Sequence, residues 1–308
     1  MAIRQDFRMA CIYVVTSTET ILRHVLLTTS LLHLHYMQSI YVIKIGGSVA
    51  THKSSATPRI RTALLTRIFT ILRHTRKHDP SLRIILVHGA GSFGHTLAKK
   101  YELIKGSHAH KEGVRGALQT HIQVSLLHTK IMELLKKADL PAFSFPTSSH
   151  VTQTKGRIIK STFNPLHDAL KEGYIPVCSG DMVFDTAWGM SVCSGDAVIA
   201  ELMRHFPVTT ALFATDVAGV HTDDPYTKKD TLLIPHISQK SYGTHGITLT
   251  DSHHTDVTGG LKTKIEACMD MFEKSTLTKI HVFNGLHPEN FIKIFAKKDF
   301  PHTVITKT

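Results

Sequence analysis

Tyr41-Val42-Ile43-Lys44-Ile45-Gly46-Gly47-Ser48 is a short β-rich run cut off by a glycine pair. A second stretch has the same form: Leu82-Arg83-Ile84-Ile85-Leu86-Val87 runs into His88-Gly89-Ala90-Gly91-Ser92-Phe93-Gly94-His95. Between them, residues 60–73 carry Leu64, Leu65, Ile68, Ile71 and Leu72 at helical spacing. The alternation continues down the chain. Helices are expected over 112–138, 165–172, 196–204 and 263–273, and strands over 142–145, 157–159, 175–178, 209–214 and 279–283. Asn164 is the expected N-cap of the helix over 165–172, and Gly173 its stop. Residues 243–258, rich in His, Thr and Asp, read as a loop. The strand runs are continuously apolar, which is the pattern of a mainly parallel sheet covered on both faces. Such α/β sheets bind ligands outside the carboxyl ends of their strands. Gly46, Gly89, Gly180, Asp216 and Gly285 fall at those ends.

Composition narrows the classes. The chain has 308 residues, 42% hydrophobic and 19% charged, which excludes a disordered or fibrous polymer. The excess of 36 Lys+Arg over 24 Asp+Glu gives +12 and points to anionic partners. Aromatics at 7% and the single Trp188 give little support for base stacking, so nucleic acid is not expected. Cys11, Cys178, Cys193 and Cys268 form no CxxC pair, so neither a zinc knuckle nor a disulfide framework is expected. Free thiols suit a reducing, cytoplasmic compartment. His108, His110, His253 and His254 read as solvated surface rather than a metal centre.

Residues 1–40 stand apart. Residues 21–37 lean apolar, but Arg23, His24, His33 and His35 interrupt them. A span needs roughly 18 nearly unbroken apolar residues, so no membrane segment is expected. Neither a clean signal-peptide centre nor its cleavage site is present. With few acids (Asp6, Glu19) and some Arg, Ser and Thr, the segment has a transit peptide as its alternative reading, but it is expected to be an extension outside the fold, with the folded domain covering 41–308.

The turn at Gly89–Gly94 contains G-x-G-x-x-G, the dinucleotide fingerprint. That fingerprint also requires a second strand ending in an acid about 20 residues on, and 95–115 is polar and rich in His and Lys. A dehydrogenase is therefore not expected, and no P-loop motif is present. The turn can still bind an anion through backbone N–H groups and a following helix N-terminus. Lys44 sits at the end of an apolar strand, where an unpaired ammonium is costly, so a phosphate or carboxylate partner is expected. Asp256-Val257-Thr258-Gly259-Gly260-Leu261-Lys262-Thr263-Lys264 is a third candidate: a glycine pair entering a helix, with a lysine where it opposes the helix dipole. Lysines, glycine-rich turns and acids at strand ends together match phosphoryl transfer, which needs positioning and charge neutralisation more than covalent chemistry.

These motifs together resemble the amino acid kinase superfamily over residues 41–308. Lys44–Ser48 looks like its K-x-G-G-S opening. Thr215-Asp216-Val217-Ala218-Gly219-Val220, with Asp224-Pro225, looks like its nucleotide loop, and Gly259–Lys264 like its G-G-M-x-x-K. Gly89–His95 is similar to the G-A-G-S-F-G-H turn of isopentenyl phosphate kinases, a His shared by fosfomycin-phosphorylating resistance kinases. The sequence departs from the pattern at Leu261, His221 and Cys178-Ser179-Gly180-Asp181.

The resemblance implies a three-layer α/β sandwich in two lobes, acceptor-binding over about 41–200 and nucleotide-binding over about 201–308. It implies ATP-dependent phosphorylation of isopentenyl phosphate in isoprenoid precursor (mevalonate pathway) synthesis, with ATP and Mg²⁺ and a homodimeric assembly. Lys44 and Lys264 would neutralise the β- and γ-phosphoryl oxygens, and Lys53 would meet the γ-phosphate or the acceptor. His95 would hold the acceptor phosphate, Ala90 and Gly180 would line its site, and Asp196 would orient the lysines. Gly46, Gly47, Ser48, Gly91, Asp181, Asp216, Gly219 and Gly260 would complete the ATP site. Mg²⁺ would be held mostly by phosphates, without a dedicated carboxylate cage. A phosphate monoester is already anionic near neutral pH, its second pKa being about 6, so no strong general base is required. Two other readings stand beside this one: a kinase of fosfomycin or another small phosphonate or phosphate, and a non-catalytic nucleotide-binding regulator.

Overall fold

β1 (Ile40–Ile45) lies between β2 (Arg83–His88) and β9 (Val208–Thr215) and runs parallel to both. The sheet continues past β2 with β6 (Ile175–Ser179) and β3 (Ala142–Ser144). Past β9 it continues with β11 (Lys279–Asn284), β12 (Thr303–Thr306) and β10 (His236–Ser238). All neighbours pair parallel except β11 and β12. The computed structural model describes residues 40–53, 57–228, 230–238, 272 and 276–307, all within one folded unit, Ser39–Thr308.

The continuous apolar strands follow from burial on both sides. Val42, Ile85, Val87 and Ala211 point into one core and Ile43, Ile45, Ile84 and Leu86 into the other. The first core is closed by α5 (Asn164–Lys171) and α6 (Gly195–His205), through Leu166, Leu170, Val198, Ile199 and Leu202. The second is closed by α2 (Thr62–His78), α4 (Gly113–Lys137) and α7 (Glu289–Phe295). On α2 the buried set is Leu65, Ile68, Phe69 and Leu72, an i, i+3, i+4, i+7 stripe. Each such side chain contributes about 1.5–3 kcal/mol by leaving water. The expected mainly parallel α/β sandwich is thus observed.

Several elements differ from the sequence expectation. β1 begins at Ile40, one residue early, and α5 begins at Asn164 itself, with Phe163 as N-cap and Pro165 in the first turn. A second sheet contains β5 (Arg157–Ser161), β4 (Val151–Thr154), β7 (Asp181–Asp185) and β8 (Gly189–Cys193), of which the sequence pattern predicts only 157–159. It is antiparallel at β4–β5 and β7–β8 and parallel at β4–β7. α7, β10 and β12 also go beyond the sequence expectation. The loop expected over 243–258 lies outside the described residues. So does the helix over 263–273, apart from Phe272, which is helical and buried. No helix among the described residues is long and apolar enough to cross a membrane.

The strand ends are in register. The Gly46 N–H donates to the Ala214 carbonyl (2.9 Å), Gly89 to Ile45 (2.9 Å), Gly180 to His88 (2.9 Å) and Gly285 to Thr215 (2.7 Å). The glycines singled out in the sequence therefore extend the ladder by one rung and line one edge of the sheet.

Candidate active site at the strand ends

Two short helices start at this edge. α1 (Gly47–Ala50) follows β1, and α3 (Gly91–Lys100) follows β2. Their first residues touch. A Cβ on Gly47 would sit 2.7 Å from the Gly91 Cα, and Gly91 itself has φ +51°, so both positions require glycine. Thr51 ties the two turns together: its hydroxyl donates to the Gly47 carbonyl (2.8 Å) and accepts from the Ser92 N–H (2.9 Å). Arg61 Nε reaches the Ser48 and Thr51 carbonyls at 3.2 and 3.1 Å and satisfies the end of α1.

Lys44, the fifth residue of β1, forms an ion pair with Asp196 in the first turn of α6. Both side chains are largely buried, at 12% and 15% exposure. The counter-charge that the sequence required for Lys44 is therefore a carboxylate of the protein itself. Ser194 caps α6 by accepting from the Ala197 N–H (3.1 Å), which sets the turn that presents Asp196. The Lys44 ammonium also lies 5.7 Å from the Phe213 ring centre.

Lys53 pairs with Asp216 at 2.7 Å and lies 5.4 Å from the centre of the Tyr226 ring. Burial works against the Asp216 charge. Hydrogen bonds from Lys53, Tyr226 and Ser48, with the Lys53 charge, outweigh it and hold the carboxyl below its ordinary value. Burial and the neighbouring Asp216 push the Tyr226 phenol upward. Asp216 thus joins the Gly46–Ser48 turn to the loop after β9.

The remaining predicted residues divide. Ala90 is the N-cap of α3, and His95 lies half-buried one turn into that helix. Gly180 packs against the Gly195 N–H at the start of α6. Gly219 is wedged against Thr303, whose hydroxyl accepts from the Val220 N–H (2.8 Å). Asp181 does not join Lys44 and Asp196. Its buried carboxylate meets His121 Nδ1 on α4 at 3.0 Å and accepts from the Met182 N–H at 2.8 Å. The hydrogen bond to Asp181, opposed by burial and aided by its charge, raises the His121 pKa. Gly260 and Lys264 lie outside the described residues. Sequence reasoning misses Thr51, Arg61, Tyr226, His88, His121 and His128. For His121 and His128 a signal exists: they sit seven residues apart, on one face of a long helix.

Residues 39–284 match the family model described as the Amino acid kinase family. The chain belongs to the amino acid kinase family. It is 31% identical over 272 residues to the isopentenyl phosphate kinase of Methanothermobacter thermautotrophicus, covering 86% of this chain and 98% of that one. The isopentenyl phosphate kinase of Thermoplasma acidophilum is 30% identical, with 86% and 99% covered. Among solved structures, an isopentenyl phosphate kinase superposes with a TM-score of 0.73 at 27% identity, over 87% of this chain and all of that one. A T. acidophilum isopentenyl phosphate kinase product complex gives 0.68 at 25% identity, over 87% and 100%.

Proposed function

We propose that this kinase transfers the γ-phosphoryl group of ATP to the phosphate of isopentenyl phosphate, giving isopentenyl diphosphate. The observation that carries this reading is the contact of two glycine turns, Gly47 against Gly91, at the strand ends where Lys44 pairs with Asp196. It is supported by relatives of that name along nearly their whole length.

The chemistry follows from charge. Two anions must approach, so the protein has to gather N–H donors and ammonium groups around the transferred group. In this reading Lys44 meets the phosphoryl oxygens, and Asp196 keeps its ammonium aimed. Lys53 leaves Asp216 for the γ-phosphate. Gly46, Gly47, Ser48 and Gly91 offer backbone donors to ATP, with Asp216 and Gly219 beside the nucleotide. His95, Ala90 and Gly180 hold the acceptor phosphate. The sequence resemblance puts Asp181 with ATP, but its bond to His121 supports a place on the acceptor side. Lys264 and Gly260 enter this reading from the sequence alone. Asp196 stays committed to Lys44, which suits a Mg²⁺ carried in on the phosphate oxygens rather than caged by the protein.

The reading extends to assembly and compartment. Val114, Leu118, Ile122 and Leu126 form an exposed i, i+4 stripe on α4, and Phe143 is exposed on the adjacent edge strand β3. A second copy of this chain, pairing its own β3 edge and stripe, covers both surfaces in a homodimer. Light scattering of wild type against Leu118→Glu tests it. Cys178 and Cys193, free and buried, suit the cytoplasm. Residues 1–38 are dispensable in this reading.

The deciding experiment incubates purified protein with Mg-ATP and isopentenyl phosphate, with fosfomycin in parallel. Turnover of isopentenyl phosphate well above fosfomycin is expected. Turnover of fosfomycin alone transfers the reading to that acceptor, and turnover of neither removes it.

A further inference from the structure

His88 closes β2 and is wholly buried, yet both of its ring nitrogens have partners. Nδ1 lies 3.1 Å from the Gly89 carbonyl, and Nε2 lies 2.9 Å from Nδ1 of His128 on α4. Nε2 of His128 lies 2.8 Å from the Ser144 hydroxyl on β3. A carbonyl only accepts, so His88 carries its proton on Nδ1. Its Nε2 therefore accepts, and His128 donates from Nδ1. The remaining His128 nitrogen takes the Ser144 proton. Burial, with the neighbouring His128, brings His88 down to about 3. Burial also lowers His128, against a pull from Asp181 in the other direction. Two neutral rings fit the chain of donors; a second proton on His88 would set N–H against N–H.

This chain ends on a peptide that matters. The Gly89 carbonyl is drawn toward the buried His88 ring. The Gly89–Ala90 bond is trans, so the Ala90 N–H points to the opposite side of the same peptide plane. Gly89, at one end of that plane, would otherwise leave it freer to turn. We infer that His88, His128 and Ser144 are positioning residues that lock this peptide so that the Ala90 N–H faces the acceptor phosphate. The inference rests on the proposed acceptor site. It makes the order at the site depend on three residues that never touch substrate.

His128→Leu removes the donor to His88, His128→Asn restores an N–H near the place of Nδ1, and Ser144→Ala removes only the outermost donor. The expected result is a rise of about tenfold in KM for isopentenyl phosphate in His128→Leu, with KM for ATP within about twofold and most of the loss recovered in His128→Asn. Ser144→Ala should show the same pattern at about threefold, and it carries the test where His128→Leu fails to fold. An unchanged acceptor KM in folded His128→Leu, or equal losses in the Leu and Asn variants, overturns the inference. Nitrogen-15 spectra of histidine-labelled wild type should show His88 protonated at Nδ1 only; a proton on its Nε2 overturns the inference whatever the activity. Absence of turnover in the wild type would defeat the functional reading alone, since the tautomer is read without substrate.

Discussion

Asp196, in the first turn of α6, and Asp185, at the end of β7, are both carboxylates, and they are held in opposite ways. Asp196 is answered by a single lysine. Asp185, on β7, accepts from five groups of its own neighbourhood. The N–H groups of Lys155, Ala187 and Trp188 reach one oxygen at 3.0, 2.9 and 2.9 Å. The Gly156 N–H and Ser191 hydroxyl reach the other at 2.8 and 2.7 Å. Burial opposes the Asp185 charge, but these donors outweigh it and bring the pKa to about 2. A carboxylate saturated by backbone has nothing left to exchange. A lysine has three N–H donors and can serve a phosphate oxygen while keeping its carboxylate. The first arrangement builds structure and the second builds a site.

The largest expected effect comes from the site. Lys44→Met removes charge from the transferring group, and kcat should fall about a thousandfold. A fall of less than tenfold, measured at saturating ATP and isopentenyl phosphate, would dissolve the contrast. Next comes the structural carboxylate. Asp185→Asn keeps the shape but turns an NH₂ toward backbone N–H groups, and should lose about 2–3 kcal/mol in urea unfolding with kcat unchanged. The pH dependence carries a sign. A depressed folded pKa contributes stability above the ordinary value of 3.8 that is lost as pH falls toward about 2. The gap between variant and wild type should therefore close over that interval. A gap that stays constant in acid would mean that Asp185 stabilises by shape alone.

The same contrast explains what could be read in the sequence. Lys44 in an apolar strand demands a partner, and that demand is visible without coordinates. The run from Leu82 to His95 shows a strand, a turn and an anion site because each is written in adjacent residues. The second sheet is not legible in that way. β4 is Val-Thr-Gln-Thr, and its buried Gln153 places Oε1 2.7 Å from Ser191 Oγ across the sheet, so polar residues sit inside where periodicity expects apolar ones. The His88–His128 pair is hidden for another reason. In a chain with 23 histidines, one at a strand end signals nothing until its partner 40 residues away is known. The pairing of Lys53 with Asp216 likewise joins two loops by distance alone. Part of the histidine excess is accounted for by His88, His121 and His128, which serve buried and half-buried hydrogen bonds around α4.

Lys53 sharpens the comparison from the other side. Its side chain is 61% exposed, so its pair with Asp216 adds little to stability, while its charge remains available to ATP. Lys53→Ala should lower kcat/KM about tenfold and leave the unfolding midpoint nearly unchanged. A marked loss of stability without loss of activity would place this pair with Asp185 instead.

The smallest effect belongs to His121. Its pKa is raised by the bond to Asp181, so the pair contributes stability below the ordinary His value of 6.5 and loses it as pH rises through the higher folded value. Asp181→Asn removes both the acceptor charge and the reason for the shift. Burial then acts alone on the ring, and the His121 pKa should drop, read by proton NMR titration of its ring signals. The stability cost of Asp181→Asn should shrink above the folded His121 pKa, where the wild-type ring is neutral too. A cost that is flat across neutral pH would show that Asp181 is held by the Met182 N–H, in the manner of Asp185, and would move it from the site to the scaffold.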